Sequence, residues 1–207
     1  MRPIRLPPSP GRFRAEDDQS RDDLRDGGSG HWAQVVNATR KLNPNTTIEV
    51  LTPDFLGKMN QVDTVLESAP DVYNHNIETV PSHYLRVRPG ARYERSLTLL
   101  EHVKTQRPET ITKSGLMLGL GETRPEVLQT LRDLRDHKVD MVTIGQYLQP
   151  AAGKLPIERY VTPEEFAEYK YDAMMMGFSK FVVSAVATTG EDLWGFVDCG
   201  LEPGSPT

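Results

Sequence analysis

Strand-like and helix-like segments alternate between residues 48 and 187, and this alternation restricts the fold more than any other feature of the sequence. Five segments have the pattern of strands: Ile48 to Thr52, Asp71 to Asn76, Thr112 to Leu118, Asp140 to Gln146 and Lys180 to Ala187. Such alternation is typical of a parallel sheet with helices between its strands. The sequence therefore predicts an α/β protein whose five strands form a partial barrel or an open sheet.

The helices are predicted from apolar residues at helical spacing. Four such faces occur, formed by Trp32, Val35, Val36 and Thr39, by Met59, Val62, Val65 and Leu66, by Tyr93, Leu97, Leu100 and Val103, and by Val127, Leu128, Leu131 and Leu134. We expect each face to pack on a core. Two helix starts are marked by a threonine followed by a proline and a glutamate, at Thr162 and at Thr123, which is the pattern of a capping box.

Three regions are predicted along the chain: a disordered segment at residues 1–20, a folded unit at residues 21–187 and an irregular tail at residues 188–207. The first 19 residues contain four prolines and four arginines and show no helical or strand period. An arginine-rich start can be an organelle transit peptide, but the prolines break the expected amphipathic helix. We therefore predict a cytoplasmic protein, with a mitochondrial or plastid matrix as the alternative in a eukaryote.

Composition excludes several classes of function. The 207 residues carry a net charge of −5 without long blocks of one sign, which argues against a nucleic-acid partner. No segment has the roughly 20 consecutive apolar residues of a membrane-spanning helix, so no membrane partner is predicted. The single cysteine, Cys199, excludes an internal disulfide and any cluster or zinc site built from several thiolates of these residues.

Polar residues follow four of the predicted strands at their carboxyl ends, where the loops of such sheets converge on one opening. The second strand runs into Asn74, His75, Asn76 and Glu78, and the fourth runs into Gln146 and Tyr147. One polar loop is explained equally well by exposure, but four together favour a small-molecule site. Alternation places Asn74 and Asn76 on one side of the strand, and we interpret His75, on the other side, as a structural residue.

Glycines surround the end of the third strand, just before a helix, at Gly115, Gly119 and Gly121, with Glu122 next. Backbone without side chains lets a flat or anionic group approach, and a helix start offers free N–H groups. A tight turn explains the same glycines. The spacing matches neither a triphosphate-binding nor a dinucleotide-binding loop.

Several longer motifs, taken together and in order, resemble lipoyl synthase, a family of radical S-adenosylmethionine (SAM) enzymes. They are Arg21 to Gly28, Ile48 to Phe55, Asn74 to Val80, Val87 to Ala91, Thr112 to Glu122, Thr143 to Pro150 and Arg159 to Phe166. The match covers about three-quarters of the chain. Linked motifs at the family's spacing are far more specific than any one of them.

The resemblance implies a radical-SAM (TIM-like) β/α partial barrel over residues 21–187, incomplete and with about four to five parallel strands. It implies radical insertion of two sulfurs into a protein-bound octanoyl chain, with SAM and two [4Fe-4S] clusters as cofactors. Octanoylated lipoyl domains or the H protein of the glycine cleavage system would be the partners. By analogy Asn76 and Glu78 would hold SAM, Ser114, Gly115, Gly119, Gly121 and Glu122 would lie along it, and Gln146 and Tyr147 would close the site.

The sequence departs from this family at the cysteines. Members carry a C-x-x-x-C-x-x-C triplet for the SAM-binding cluster and a second triplet for an auxiliary cluster, and neither occurs here. No metal ligand and no catalytic residue is therefore predicted. We expect a truncated chain that is inactive alone. The alternatives are a non-catalytic paralogue that binds SAM or an octanoyl-protein, and a gene fragment without function.

Overall fold

The structure, a computed structural model, describes residues 26–184, which contain five strands, six α-helices and two short 3-10 helices (Phe55–Gly57 and Pro81–His83). The strands are β1 (Glu49–Leu51), β2 (Val72–Asn74), β3 (Ile111–Leu118), β4 (Met141–Gln146) and β5 (Lys180–Ser184). The helices are α1 (Ser29–Leu42), α2 (Met59–Glu67), α3 (Tyr84–Val87), α4 (Tyr93–Gln106), α5 (Arg124–Asp136) and α6 (Pro163–Met175). Among these residues no helix is both long enough and apolar enough to span a membrane.

The strands follow one another in the sheet in sequence order, β1-β2-β3-β4-β5. The pairs β1–β2, β2–β3 and β4–β5 are parallel, with Glu49 opposite Val72 and Met141 opposite Lys180. Parallel neighbours need a crossover between them, and helices provide it. The prediction of a parallel α/β sheet with flanking helices is therefore confirmed.

Strand boundaries differ from the sequence prediction by a few residues. The second strand was expected to reach Asn76 but ends at Asn74, which is the last residue in its registers with β1 and β3. Of the fifth predicted strand, residues 185–187 lie outside the described residues, as do the predicted region boundaries at 20 and 187.

The described residues divide into two compact units, residues 26–75 with 94–113 and residues 76–93 with 114–184. In the first unit the core is formed by β1, β2 and α2, where Val62, Val65 and Tyr73 are fully buried. The predicted face of α1 is wrong in part. Val36 is buried, but Val35 is 39% exposed, because α1 packs on α2 through a narrow strip and Val35 lies about 100° round the helix from Val36.

The core of the second unit contains the buried faces of α5 and α6. Val127, Leu131 and Leu134 of α5 are fully buried, as predicted, and Phe166, Tyr169 and Ala173 form the corresponding face of α6. Both helices begin with the predicted capping box, at Thr123 and at Thr162. These starts are confirmed because capping depends on residues that are close in sequence.

Candidate functional site

One face of strands β3 and β4 in the second unit is packed and the other is half-buried. On the packed face Ser114, Leu118 and Ile144 are fully buried, and Leu116 and Val142 are nearly so. The alternate residues, Met117 of β3 and Thr143 and Gly145 of β4, are only partly covered. Because successive strand residues point to opposite faces, this difference separates a core face from a partly exposed face, on which Gly115 is nevertheless buried.

The segment Asn76 to Glu78 lies alongside β3 at this place. The N–H of Glu78 donates to the carbonyl of Gly115 at 2.8 Å, and the N–H of Met117 donates to the carbonyl of Glu78 at 2.8 Å. The N–H of Ile77 donates to Ser114 Oγ at 3.1 Å, which explains why this buried serine is needed. Three hydrogen bonds therefore fix the position of the segment against the strand.

Gly115 is required by the close approach of Asn76. A Cβ at Gly115 would lie 2.8 Å from Asn76 Oδ1 and 3.6 Å from the Thr143 carbonyl oxygen, and the first distance is too short for real carbon atoms. Any larger residue would displace the amide. The absence of a side chain at Gly115 thus lets Asn76 lie next to the strand, and the structure brings Asn76, Glu78, Ser114 and Gly115 together.

Glu78 has unusual electrostatics for a carboxylate. Burial raises its pKa, while the positive charge of Arg88 and a hydrogen bond from the Asn76 side chain act in the opposite direction, and the net effect is a raised pKa. Titratable groups with perturbed pKa values are concentrated at functional sites, although ion-pair networks perturb them as well. Sequence reasoning missed Arg88, and the signal that could have found it is the Arg-Pro-Gly turn directly after α3.

The glycine turn after β3 is closed by Glu122, not left open for a ligand. Glu122 is 5% exposed, and its two carboxylate oxygens accept from the N–H groups of Gly119 (2.6 Å) and Leu120 (2.9 Å). The N–H of Thr123 donates to Glu126 at 2.8 Å. The expectation that these backbone N–H groups are available to a ligand is wrong, because nearby carboxylates already bind them.

Replacing Glu122 by glutamine tests this structural role. The amide presents an NH₂ group to one of two backbone donors, so a buried N–H loses its acceptor, and we expect a loss of about 2–3 kcal/mol in the free energy of unfolding. Urea denaturation measures it. Glu164→Gln, at an exposed position in the first turn of α6, is the control and should change stability by less than about 0.5 kcal/mol. Equal small effects would show that Glu122 does not hold the turn.

Gln146 and Tyr147 hold the segment that follows β4. The Gln146 side chain donates to the carbonyls of Tyr147 (3.0 Å) and Arg159 (3.2 Å) and accepts from the N–H of Val161 at 2.8 Å. The Tyr147 hydroxyl donates to the Leu155 carbonyl at 3.0 Å. The polar atoms of both side chains have hydrogen-bond partners within the protein. Gln146 and Tyr147 therefore hold the loop after β4 closed.

The two polar residues before the site belong to the first unit. His75 is buried, with its ring nitrogens 2.9 Å from the Thr52 carbonyl oxygen and 2.9 Å from Ser96 Oγ, which agrees with the structural role predicted for it. Asn74 donates to Glu49 at 2.8 Å. Both side chains therefore have hydrogen-bond partners within the first unit, and neither is assigned to the half-buried face of the second unit.

The described residues do not fit a protein-held iron-sulfur cluster. Among residues 26–184 no three histidine, cysteine, aspartate or glutamate side chains are grouped so that they could hold a metal ion. The one cysteine, Cys199, lies outside these residues. A SAM-binding [4Fe-4S] cluster needs three thiolates, and this chain supplies one.

The geometry described above agrees with the comparisons with known proteins. Residues 24–134, more than half of the chain, match the radical SAM superfamily. The chain therefore belongs to the radical SAM superfamily. A crystal structure of methylornithine synthase has the same fold, with a TM-score of 0.56 and 14% sequence identity over 83% of this chain and 57% of that chain.

Within this superfamily the chain is similar to lipoyl synthases. It is 54% identical over 167 residues to lipoyl synthase of Janthinobacterium sp. (strain Marseille), which is 80% of this chain and 50% of that protein. It is 55% identical over 160 residues to lipoyl synthase of Pectobacterium atrosepticum, or 77% of this chain and 50% of that protein. The predicted resemblance is confirmed, and the chain spans about half the length of these relatives.

Proposed function

We propose that this chain supplies the SAM-binding part of a lipoyl synthase, an enzyme that inserts two sulfurs into a protein-bound octanoyl chain. The observation that carries the proposal is the Asn76 to Glu78 segment fixed on Gly115 at the half-buried sheet face. An amide and a carboxylate at this place suit the hydroxyl and amino groups of SAM. The octanoylated lipoyl domain or H protein would be the partner, and the compartment stays a prediction.

Each residue of the proposed site would have a separate role in binding SAM. Asn76 and Glu78 would bind the polar groups of SAM, and Ser114 and Gly115 would set their position. Gly119, Gly121 and Glu122 would shape the turn beside the ligand, while Gln146 and Tyr147 would keep the following loop closed and so exclude water. These residues would contribute binding and positioning of SAM only, since the thiolate content does not fit the cluster that the radical chemistry of the family needs.

The cysteine content favours a second candidate function, a non-catalytic paralogue that binds SAM or an octanoyl-protein. The residues proposed to bind SAM lie together, whereas two [4Fe-4S] clusters cannot be held by the one thiolate of this chain. Both candidates therefore predict a SAM site, and they differ in affinity. The first predicts weak binding without a cluster, and the second predicts micromolar binding of SAM or of an octanoyl-protein.

A SAM titration tests the site itself. Without iron to take its amino and carboxylate groups, SAM should bind with a dissociation constant no tighter than roughly 1 mM. Chemical-shift changes in NMR spectra can measure such weak binding. Asn76→Ala and Glu78→Ala should abolish it, whereas Asn60→Ala and Glu164→Ala, at exposed helix positions, should not. Unchanged binding in the first pair would place SAM elsewhere.

The same titration with an octanoylated lipoyl domain separates the candidates further. Micromolar binding of either ligand, lost in Asn76→Ala and Glu78→Ala, would support a dedicated binding protein. No binding of either ligand to the 207-residue chain would contradict both candidate functions.

A further inference from the structure

Arg88 binds the backbone of the segment that carries Asn76 and Glu78. Its Nη1 donates to the carbonyl oxygen of Asn76 at 3.0 Å. One helical turn earlier, the Tyr84 hydroxyl donates to the carbonyl of the next residue, Ile77, at 2.8 Å. Two consecutive carbonyls of the segment are therefore held by side chains spaced four residues apart.

The backbone around Arg88 is itself fixed. Its N–H donates to the Tyr84 carbonyl at 2.8 Å at the end of α3, and its carbonyl accepts from the N–H of Ala91 at 3.0 Å. Between them Pro89 restricts the backbone and Gly90 takes a positive φ of 92°, which favours glycine. Because this turn is already ordered, the backbone of Arg88 loses little conformational freedom when the guanidinium binds the segment.

We propose that Arg88 is a positioning residue that holds the Asn76 to Glu78 segment, and with it the Glu78 carboxylate, in place for a cationic ligand. This inference rests on the proposed function, since SAM carries ammonium and sulfonium charges that a carboxylate attracts. Arg88 does not need to touch the ligand. It acts through the segment, by binding the Asn76 carbonyl, and through space, by its charge.

The surroundings of Glu78 support these two effects of Arg88, the hydrogen bond and the charge. Burial raises the pKa of its carboxyl group, and Arg88 is the charged group that opposes this effect, with the neutral Asn76 side chain as the second contributor. The neighbours of Glu78 on β3, Gly115, Leu116 and Met117, carry no titratable group. Glu78 also holds a left-handed backbone (φ 69°), a strained state that persists only when its neighbours fix it.

The test is an NMR titration of the Glu78 carboxyl carbon in the full chain. In Arg88→Gln the midpoint should move to higher pH than in the wild type, because the opposing charge is gone. The dissociation constant for SAM should rise by a factor of roughly three to five. Arg92→Gln, the same change at an exposed position on the same loop, should leave both quantities unchanged.

Two further measurements keep the inference open to refutation. Arg88→Lys keeps the charge, so the Glu78 midpoint should stay near the wild-type value. In the wild type, raising the salt concentration should move the midpoint to higher pH, because salt screens Arg88. A Glu78 midpoint that is the same in Arg88→Gln and the wild type, or that ignores salt, would overturn the role of Arg88. If the wild type binds no SAM, the proposed function fails, while the titration still decides what Arg88 does.

Discussion

Replacing Gly119 by alanine should lower the free energy of unfolding by about 3–5 kcal/mol, the largest stability loss that we expect from one methyl group in this protein. Two causes add. The backbone has a φ of 104°, where residues with a Cβ are strained. The new Cβ would also lie 2.6 Å from the Arg159 carbonyl oxygen and closer still to Gln146 Nε2. Urea denaturation, with the folded spectrum checked by circular dichroism, measures the loss.

Gly121→Ala is the matched control in the same turn. It has nearly the same φ, 98°, but the nearest atom to its Cβ would be 3.6 Å away, which is ordinary contact. Its cost should be about 1 kcal/mol, the backbone contribution alone. The difference between the variants then isolates the steric effect of Gln146 and Arg159. Equal losses would mean that the loop after β4 yields easily and does not close on Gly119.

Reconstitution of the purified chain with iron and sulfide under anaerobic conditions should not give a stoichiometric [4Fe-4S] cluster. One thiolate cannot replace the three that leave the fourth iron open to SAM. We expect far fewer than the roughly four irons per chain of one complete cluster and no electron paramagnetic resonance signal from a SAM-bound cluster. Iron analysis and spectroscopy together measure this.

Cys199→Ser is the control for reconstitution. Iron bound without the thiol is adventitious, so this variant should retain as little iron as the wild type. About four irons per chain in the wild type, lost in Cys199→Ser, would contradict the prediction and would show that other residues or a second chain complete the ligand set.

Local sequence patterns predicted the fold well where the deciding residues are close in the chain. The capping boxes at Thr123 and Thr162 are examples, since a threonine and a glutamate three residues later determine the helix start. The end of β2 was placed two residues too late, because the alternation of residue types does not reveal where pairing with the neighbouring strands stops.

The candidate site could be predicted only in part, for the same reason. Asn76, Glu78, Ser114 and Gly115 were expected together, and they lie together. The role of Glu122 depends on which backbone donors its carboxylate reaches, and that of Gln146 depends on a segment 13 to 15 residues further on. Arg88 binds a carbonyl 12 residues earlier, so the Arg-Pro-Gly turn marks the residue but does not reveal its partner.

The two faces of β3 and β4 also bear on how this protein can change during evolution. Substitutions at the fully buried positions, such as Leu118 and Ile144, act on the core and are limited by volume. Substitutions at Met117 and Thr143, which are partly exposed, are less limited by volume. A duplicated copy of the gene can therefore vary these positions while its melting temperature stays nearly the same.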